Sequence, residues 1–294
     1  GRLPPVIDWL VERFRRQAAE TFGLPPGEGL RVSLVRGQPW AGYNWYDGNL
    51  QSRVDLNLDL PIQAPNLISL IAHEAYPGHH LEHAWKESRL VRQEHRLECS
   101  ILLLNTPECL ISEGLADLGR RFAIPADQQV GLLEELLDRS GIPAGTDGPG
   151  RAELARIAIA LREPRSRLRQ FEVNAALRRH VDGAAHDTVR RELETTALLA
   201  PERAEKLLQF IEDPLFRTYV FVYPEGEALL RRWLEAVPVD DQPVRFRRLL
   251  VEQLSPAMIV AELADEAGPG DSGQRLPPEP LSDFVIGPPS TRVT

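Results

Sequence analysis

Residues 73–83, HEAYPGHHLEH, place four histidines and two glutamates within eleven positions. The stretch begins like the zinc-protease signature H-E-x-x-H, in which two histidines on one helix face bind one ion. Pro77 stands where the second histidine is expected, so the candidate partners of His73 are His79 and His80. On an unbroken helix, His79 would point away from His73 and His80 would lie about 10 Å along the axis. An unbroken helix therefore cannot form this site.

Pro77 and Gly78 indicate that the helix is interrupted. Proline has no N–H to donate and its ring collides with the carbonyl group four residues back, while glycine tolerates backbone angles that other residues avoid. A two-residue bulge here would place His79 in the position of the second ligand. His80 stays an alternative ligand, because the bulge decides which ring faces inward, and the ring that does not bind metal is a candidate substrate contact. The motif predicts a remodelled metal site rather than a lost one.

A third ligand is expected on a following helix. NTPECLISEGLADL (105–118) carries Glu113 and, four residues later on the same face, Asp117. We interpret Glu113 as a ligand and Asp117 as the carboxylate that orients His73 through its other ring nitrogen. Gly114 would let another backbone approach closely. The three ligands would bind one zinc ion per chain and leave a fourth position open, which is typical of catalytic zinc.

An open zinc site predicts hydrolytic chemistry. Bound zinc lowers the pKa of a water molecule from about 15.7 to about 7 and polarises a carbonyl group. Glu74 would act as the general base and pass the proton to the leaving group. Tyr223 is the candidate donor to the developing oxyanion, with Tyr219 and Arg217 as alternatives. Arg217, Tyr219 and His180 are also candidates for substrate contacts.

The sequence before the motif predicts one helix and one small antiparallel sheet. Residues 4–22 space their apolar side chains at three and four, the pattern of an amphipathic helix. Within residues 30–60, RVSLV and SRVDLNLDL alternate apolar and polar residues as strands do, and QPWAGYNWYDGN between them is typical of turns. If residues 54–60 form an exposed edge strand beside the site, an extended peptide could pair with it.

The rest of the sequence predicts helices, so the expected fold class is mainly α (α+β). Metal-site helices are expected over 66–120, the first capped by Asn66 and the second running to about Leu104. Further helices are expected over 150–266, which completes a single metallopeptidase-like domain over residues 1–266. Residues 267–294 are rich in Pro, Gly and Ser and predict a mobile tail.

Charge and composition exclude several classes of protein. A formal net charge of −9 argues against nucleic-acid or acidic-membrane surfaces as partners. Two cysteines, Cys99 and Cys109, cannot build a disulfide framework and indicate a reducing compartment. The apolar stretches are too short to cross a bilayer, and GRLPPVIDWL at the start has no apolar signal region. We therefore expect a cytoplasmic protein. Because the chain does not start with Met, we also expect it to be trimmed or partial.

HEAYPGHH, followed further along by NTPECLISEGLADL, resembles the bacterial family called domain of unknown function 885. Members of that family are regarded as zinc peptidases related to the gluzincins. YNWYDGNLQSRVDLNLDLP, FEVNAALRRHVDG (171–183) and YPEG (223–226) are also similar, so the resemblance covers most of the chain. It implies a largely helical zinc-hydrolase fold, with His73, one of His79 and His80, and Glu113 as ligands. Members are often longer at the N-terminus.

The residues thus predict a zinc-dependent hydrolase, most directly a metallopeptidase acting on a peptide or a small amide. One alternative is a helical binding or scaffold protein whose metal is structural or lost. Another is a zinc hydrolase of an ester or a non-peptide amide, because the site chemistry does not name the substrate. Zinc is favoured among metals, although His and carboxylate ligands also accept manganese and cobalt.

Overall fold

Helices make up most of the described chain, residues 2–141 and 150–267 of the computed structural model. The helices are α1 Leu3–Phe22, α2 Ala64–Glu74, α3 His79–Lys86, α4 Pro107–Ala123, α5 Gln129–Arg139, α6 Arg151–Ala160, α7 Arg162–His180, α8 His186–Thr195, α9 Pro201–Glu212, α10 Val222–Glu235, α11 Gln242–Val251 and α12 Pro256–Ala267. The mainly helical fold with one small sheet is confirmed. The predicted tail lies outside the described residues, except for Ala267 at the end of α12. No helix in the described ranges is both long and apolar enough to cross a membrane.

The sheet has three strands, β1 Gly29–Val35, β2 Gly42–Gly48 and β3 Gln51–Asn57, in the order β1-β3-β2. β3 is antiparallel to β2 but parallel to β1, so the prediction of an antiparallel sheet is wrong for one of its two strand pairs. The condition under which a peptide could pair with residues 54–60, that they form an exposed edge strand, is not met. β3 occupies the centre of the sheet, and Val54 is fully buried.

Strand β2 lies where the sequence predicted a turn. Its glycines and asparagine favour turns by composition, yet Tyr43, Trp45 and Tyr46 are aromatic residues that suit an edge strand. The turn itself follows the strand, where Asn49 and Leu50 have φ of 54° and 62°. Positive φ at both central residues is typical of a tight hairpin. The chain therefore reverses at residues 48–51, and β2 forms one edge of the sheet.

Helix boundaries around the motif differ from those predicted. α2 begins at Ala64, two residues before the predicted cap at Asn66. The helix expected to reach Leu104 ends as α-helix at Lys86 and continues only as a π-helical stretch and a short 3-10 turn. His95 takes φ of 59°, a left-handed conformation that a right-handed helix cannot include. Residues 101–103 consequently form an irregular segment before α4.

The main core packs α1, α2, α4, α10 and α11 against β3. Fully buried side chains come from each layer and include Phe14, Leu56, Ile71, Leu115 and Trp233. Removal of such side chains from water is the dominant favourable term in folding. A second, smaller core joins α7, α8 and α9. The helices that carry the motif therefore lie within the larger core.

Helices α4 and α10 touch through two glycines. A Cβ atom on Gly114 would lie 2.5 Å from the carbonyl carbon of Gly226, and one on Gly226 would lie 2.2 Å from the carbonyl oxygen of Leu110. No side chain fits there, so the close backbone approach predicted at Gly114 is confirmed. The contact places Tyr223, one turn before Gly226, beside the helix that carries Glu113.

We expect Gly226→Ala to lower the free energy of unfolding by about 1–3 kcal/mol, because the new methyl group must displace backbone atoms. Gly131→Ala is the matched control. Gly131 lies exposed in α5 with open space at its Cβ position, and alanine in a helix is favoured over glycine by about 0.5–1 kcal/mol. Urea unfolding of both variants measures the difference. Equal effects would show that the α4–α10 contact tolerates a side chain.

Candidate metal centre

The helical path is interrupted at residues 75–78, between α2 and α3. The N–H group of Gly78 donates to the carbonyl oxygen of Ala72, a bond that spans six residues instead of the four of a regular α-helix. The helical path therefore contains two inserted residues here, as the proline–glycine pair predicts. Only glycine fits at this position, since a Cβ atom on Gly78 would lie 1.8 Å from the carbonyl oxygen of His73. The insertion brings His79 to the face of His73.

His73, His79 and Glu113, from three different helices, converge at one point. The Nε2 atoms of His73 and His79 are 3.1 Å apart. Glu113 places Oε2 3.1 Å from Nε2 of His73 and Oε1 3.5 Å from Nε2 of His79. The structure therefore brings the three predicted ligands together in a group that could hold a metal ion.

The distances in this cluster fit a four-coordinate ion. Nitrogen and oxygen ligands at about 2.0–2.2 Å from a tetrahedral ion lie about 3.4 Å from one another. Oε2 of Glu113 is buried and has no hydrogen-bond partner among the described residues. A buried polar atom without a partner is costly, and a cation between the three side chains would satisfy it. The residues therefore fit a bound metal ion.

The electrostatics of the cluster favour a positive charge within it. Burial lowers the pKa of His73, but the nearby carboxylates of Asp117 and Glu113 outweigh burial and raise its pKa to about 10. Burial raises the pKa of Glu113, but the charges of His79 and His73 outweigh it and hold that pKa well below its ordinary value. Protons supply the positive charge when the metal is absent, and metal binding must release them.

Asp117 contacts the ring nitrogen of His73 that faces away from the cluster. Its Oδ1 lies 3.1 Å from Nδ1 of His73, so the other ring nitrogen, Nε2, faces the cluster. Arg169 of α7 in turn lies 3.4 Å from Oδ2 of Asp117. The contact with Asp117 is the one its spacing from Glu113 predicted. Arg169 was not predicted, because no sequence pattern links residues 52 positions apart.

Asp117→Asn is expected to weaken zinc binding about 10- to 100-fold, because an amide orients the imidazole less well than a carboxylate and leaves it less basic. Competition with a chromophoric chelator measures the affinity. Asp187→Asn, at an exposed position of α8, is the matched control and should bind zinc as the unaltered protein does. An unchanged affinity in Asp117→Asn would mean that the carboxylate does not support the ligand.

A second network, which the sequence did not predict, supports His79. Nδ1 of His79 lies 3.1 Å from Oγ of Ser112, which donates to Oε2 of Glu82 at 2.5 Å. The buried Lys86 donates to Oε1 of Glu82 at 2.7 Å. Both oxygens of Glu82 are thus engaged, so a second possible metal group, His79, Glu82 and His83, is the less suitable one. The i+3 spacing of Glu82 from His79 was the available signal.

Glu74 is a buried carboxylate that lines the same cavity as His73 and His79. Burial raises the pKa of its carboxyl group, although the charges of His73 and His79 oppose the rise. Asn44 of β2 donates to the backbone carbonyl of Glu74 at 2.8 Å. Gly42 leaves room for the carboxylate, since a Cβ atom there would lie 3.1 Å from its Oε1. Strand β2 therefore packs directly on the candidate general base.

The two tyrosines of the predicted site make different contacts. The hydroxyl of Tyr219 donates to Oε1 of Glu113 at 2.6 Å, so Tyr219 holds a candidate ligand, and its side chain also lines the cavity. Tyr223 lines the cavity with its ring centroid 6.3 Å from that of His73. Its hydroxyl makes no hydrogen bond within the described residues, and burial raises its pKa well above the ordinary value. Tyr223 therefore keeps a proton that it can donate.

His80 belongs to the core and not to the cluster. Its buried ring lies 2.8 Å from Oγ of Ser52 through Nδ1 and 2.8 Å from Oε2 of Glu28 through Nε2. Tyr76 donates to the same oxygen of Glu28, and Arg15 pairs with the other oxygen at 2.6 Å. The consecutive histidines His79 and His80 face different sides of α3. Of the two alternatives, the structure places His79 beside His73.

Two predicted substrate contacts lie away from the cavity. Arg217 is exposed and does not line it. His180 contacts the backbone carbonyl of Ile211 through Nε2 at 2.6 Å, which ties α7 to α9. His83 was not predicted but does line the cavity, and burial lowers its pKa to about 3. His83 therefore stays a neutral imidazole beside the cluster.

Comparisons with known proteins concern the fold. No protein-family model and no curated protein matches the chain. The fold is similar to a solved structure described as "the putative lipoprotein from Colwellia psychrerythraea", with 15% sequence identity and a TM-score of 0.54. The likeness covers 89% of this chain and 42% of that chain, so this chain spans less than half the length of that structure. At this identity the likeness shows the fold alone.

Proposed function

We propose that this chain is a zinc-dependent hydrolase that cleaves peptide bonds. The observation that carries the proposal is the convergence of His73, His79 and Glu113 at 3.1–3.5 Å beside a cavity that Glu74 also lines. Three protein ligands beside an open space are typical of catalytic zinc, whereas structural zinc usually has four protein ligands. A bound zinc ion would supply an activated water molecule and polarise the carbonyl group of the substrate.

The chain's own residues provide the remaining steps of amide hydrolysis. Glu74, whose pKa is raised by burial, accepts a proton from the attacking water and returns it to the leaving nitrogen. Tyr223 donates its hydroxyl proton in a hydrogen bond to the oxygen that becomes negatively charged. Asp117 and Tyr219 hold the ligands His73 and Glu113 in place. Each role follows from a contact or a position beside the cavity.

Strand β2 supports a peptide as the substrate. It is an edge of the three-stranded sheet, and its residues Gly42, Tyr43 and Asn44 line the cavity. An extended peptide could add to this edge through main-chain hydrogen bonds. The edge strand beside the site is thus β2, and not the segment 54–60 that the sequence indicated.

The first test is the zinc content of the purified protein by inductively coupled plasma mass spectrometry after exhaustive dialysis. We expect close to one zinc per chain and cleavage of members of a mixed peptide library, detected by mass spectrometry. A chelator should abolish cleavage, and one equivalent of zinc should restore it. Failure to bind zinc at all would contradict the proposal. Bound zinc that raises the melting temperature without any cleavage would instead favour a binding or scaffold protein with a structural metal.

A further inference from the structure

The irregular segment before α4 exposes large apolar side chains. Ile101, Leu102 and Leu103 are 61%, 46% and 61% exposed. Contiguous exposed apolar groups in a protein of this size commonly mark a site of interaction. Leu102, Leu103 and Leu104 also line the cavity that contains His73 and Glu74. One wall of the candidate active site is therefore an accessible apolar surface.

Further apolar lining comes from α9 and the chain that follows it. Phe210 and Phe216 stack with ring centroids 5.0 Å apart, and both line the cavity. Phe216 also packs against Tyr219, the residue that holds Glu113. Trp40 lines the same cavity from the chain before β2. The apolar lining of the cavity therefore reaches a residue that contacts a candidate metal ligand.

The charged residues that line the cavity disfavour acidic side chains of a substrate. Its lining within the described residues includes the carboxylates Glu74, Glu108 and Glu113 and contains no Arg or Lys. The buried Lys86 behind this lining is paired with Glu82 at 2.7 Å. A substrate carboxylate placed against the apolar wall of the cavity would lose its hydration without gaining an Arg or Lys partner from the lining, which is costly. The cavity therefore suits an uncharged substrate side chain.

The size of the cavity matches one such side chain. Its volume is about 160 Å³, and an apolar protein cavity of about 150 Å³ binds benzene. We propose that the Leu102–Leu104 segment and the Phe210–Phe216 pair form a subsite for a large apolar side chain, such as Phe or Leu, next to the cleaved bond. This inference rests on the proposed function, because it names the peptides that the same site would cleave.

Blocked hexapeptides that differ at one central position, with Phe, Leu, Gly or Asp, test the subsite. We expect kcat/KM for the Phe and Leu peptides to exceed that for the Gly peptide by about 10- to 200-fold, with least cleavage of the Asp peptide. Leu103→Ser should reduce the preference for Phe over Gly by about tenfold. Leu97→Ser is the matched control, because Leu97 is exposed in the 3-10 turn just before that segment and does not line the cavity. Both side chains are exposed, so neither change should impair folding.

Binding of the same peptides to zinc-loaded Glu74→Gln, measured by isothermal titration calorimetry, gives a readout that needs no turnover. Preferential binding of the Phe peptide, lost in a Glu74→Gln/Leu103→Ser double variant, would support the subsite even if the unaltered protein cleaves nothing. In that case only the proposed hydrolase activity fails. Cleavage with no preference for Phe or Leu over Gly would overturn the subsite and leave the hydrolase intact. Binding with no such preference would also overturn the subsite. An effect of Leu97→Ser equal to that of Leu103→Ser would also overturn it.

Discussion

Glu74→Gln should keep one zinc ion per chain and lose hydrolytic turnover by about 10²–10⁴-fold. Glutamine has nearly the shape of glutamate, so the packing of β2 on Glu74 and the bond from Asn44 to its backbone carbonyl are retained. The amide cannot accept the proton of the attacking water. The loss should therefore appear in kcat, measured with a cleaved library peptide, while the zinc content measured by mass spectrometry stays unchanged.

Glu235→Gln is the matched control for this substitution. Its carboxylate is half-exposed in α10 and pairs with Arg121 on the surface at 3.3 Å. It should leave turnover and zinc content unaltered. Near-normal turnover in zinc-loaded Glu74→Gln would exclude Glu74 as the general base. Loss of zinc in that variant would instead mean that Glu74 takes part in holding the metal.

His79→Ala and His80→Ala should impair different properties, although the two residues are adjacent. The first should weaken zinc binding and the second should lower stability. His79→Ala removes one of three ligands. Structural zinc sites with four ligands contribute about 10–16 kcal/mol, so the loss of one ligand corresponds to a loss of affinity of about 10²–10³-fold. The fold of the metal-free protein should persist, because His79 contributes to the cavity wall rather than to the apolar core.

His80→Ala should lower the free energy of unfolding and leave zinc affinity of the folded protein close to normal. The substitution leaves Ser52 and Glu28 without the ring between them, and a buried polar group that loses its partner costs about 1–3 kcal/mol. Denaturant unfolding and chelator competition on both variants separate the two effects. Loss of zinc in a folded His80→Ala, with normal zinc binding in His79→Ala, would reverse the assignment.

Much of the candidate site could be predicted from the sequence because its signals are local. The proline–glycine pair after His73 indicated two inserted residues, and the structure has a hydrogen bond across six positions at Gly78. The four-residue spacing of Glu113 and Asp117 indicated that both face the same neighbour, and both contact His73. Gly114 indicated a close backbone contact, which α10 makes.

What the sequence did not predict depends on contacts between distant segments. Strand β2 has the composition of a turn, and only pairing with β3 makes it a strand. The parallel pairing of β1 with β3 cannot be read from alternation, which is the same in both kinds of sheet. Arg169 and Glu28 lie far along the chain from Asp117 and His80, their partners. Composition and spacing carry no information about such pairs.

The hydrogen bond between His80 and Glu28 limits how far the chain can be shortened. Glu28 precedes β1, and Arg15 of α1 pairs with its carboxylate. A recombinant fragment that begins at β1 would retain all three candidate metal ligands. It would lack Glu28, which hydrogen-bonds to His80, the neighbour of His79. A stable fold around the metal centre therefore requires the first helix, although that helix contributes no ligand.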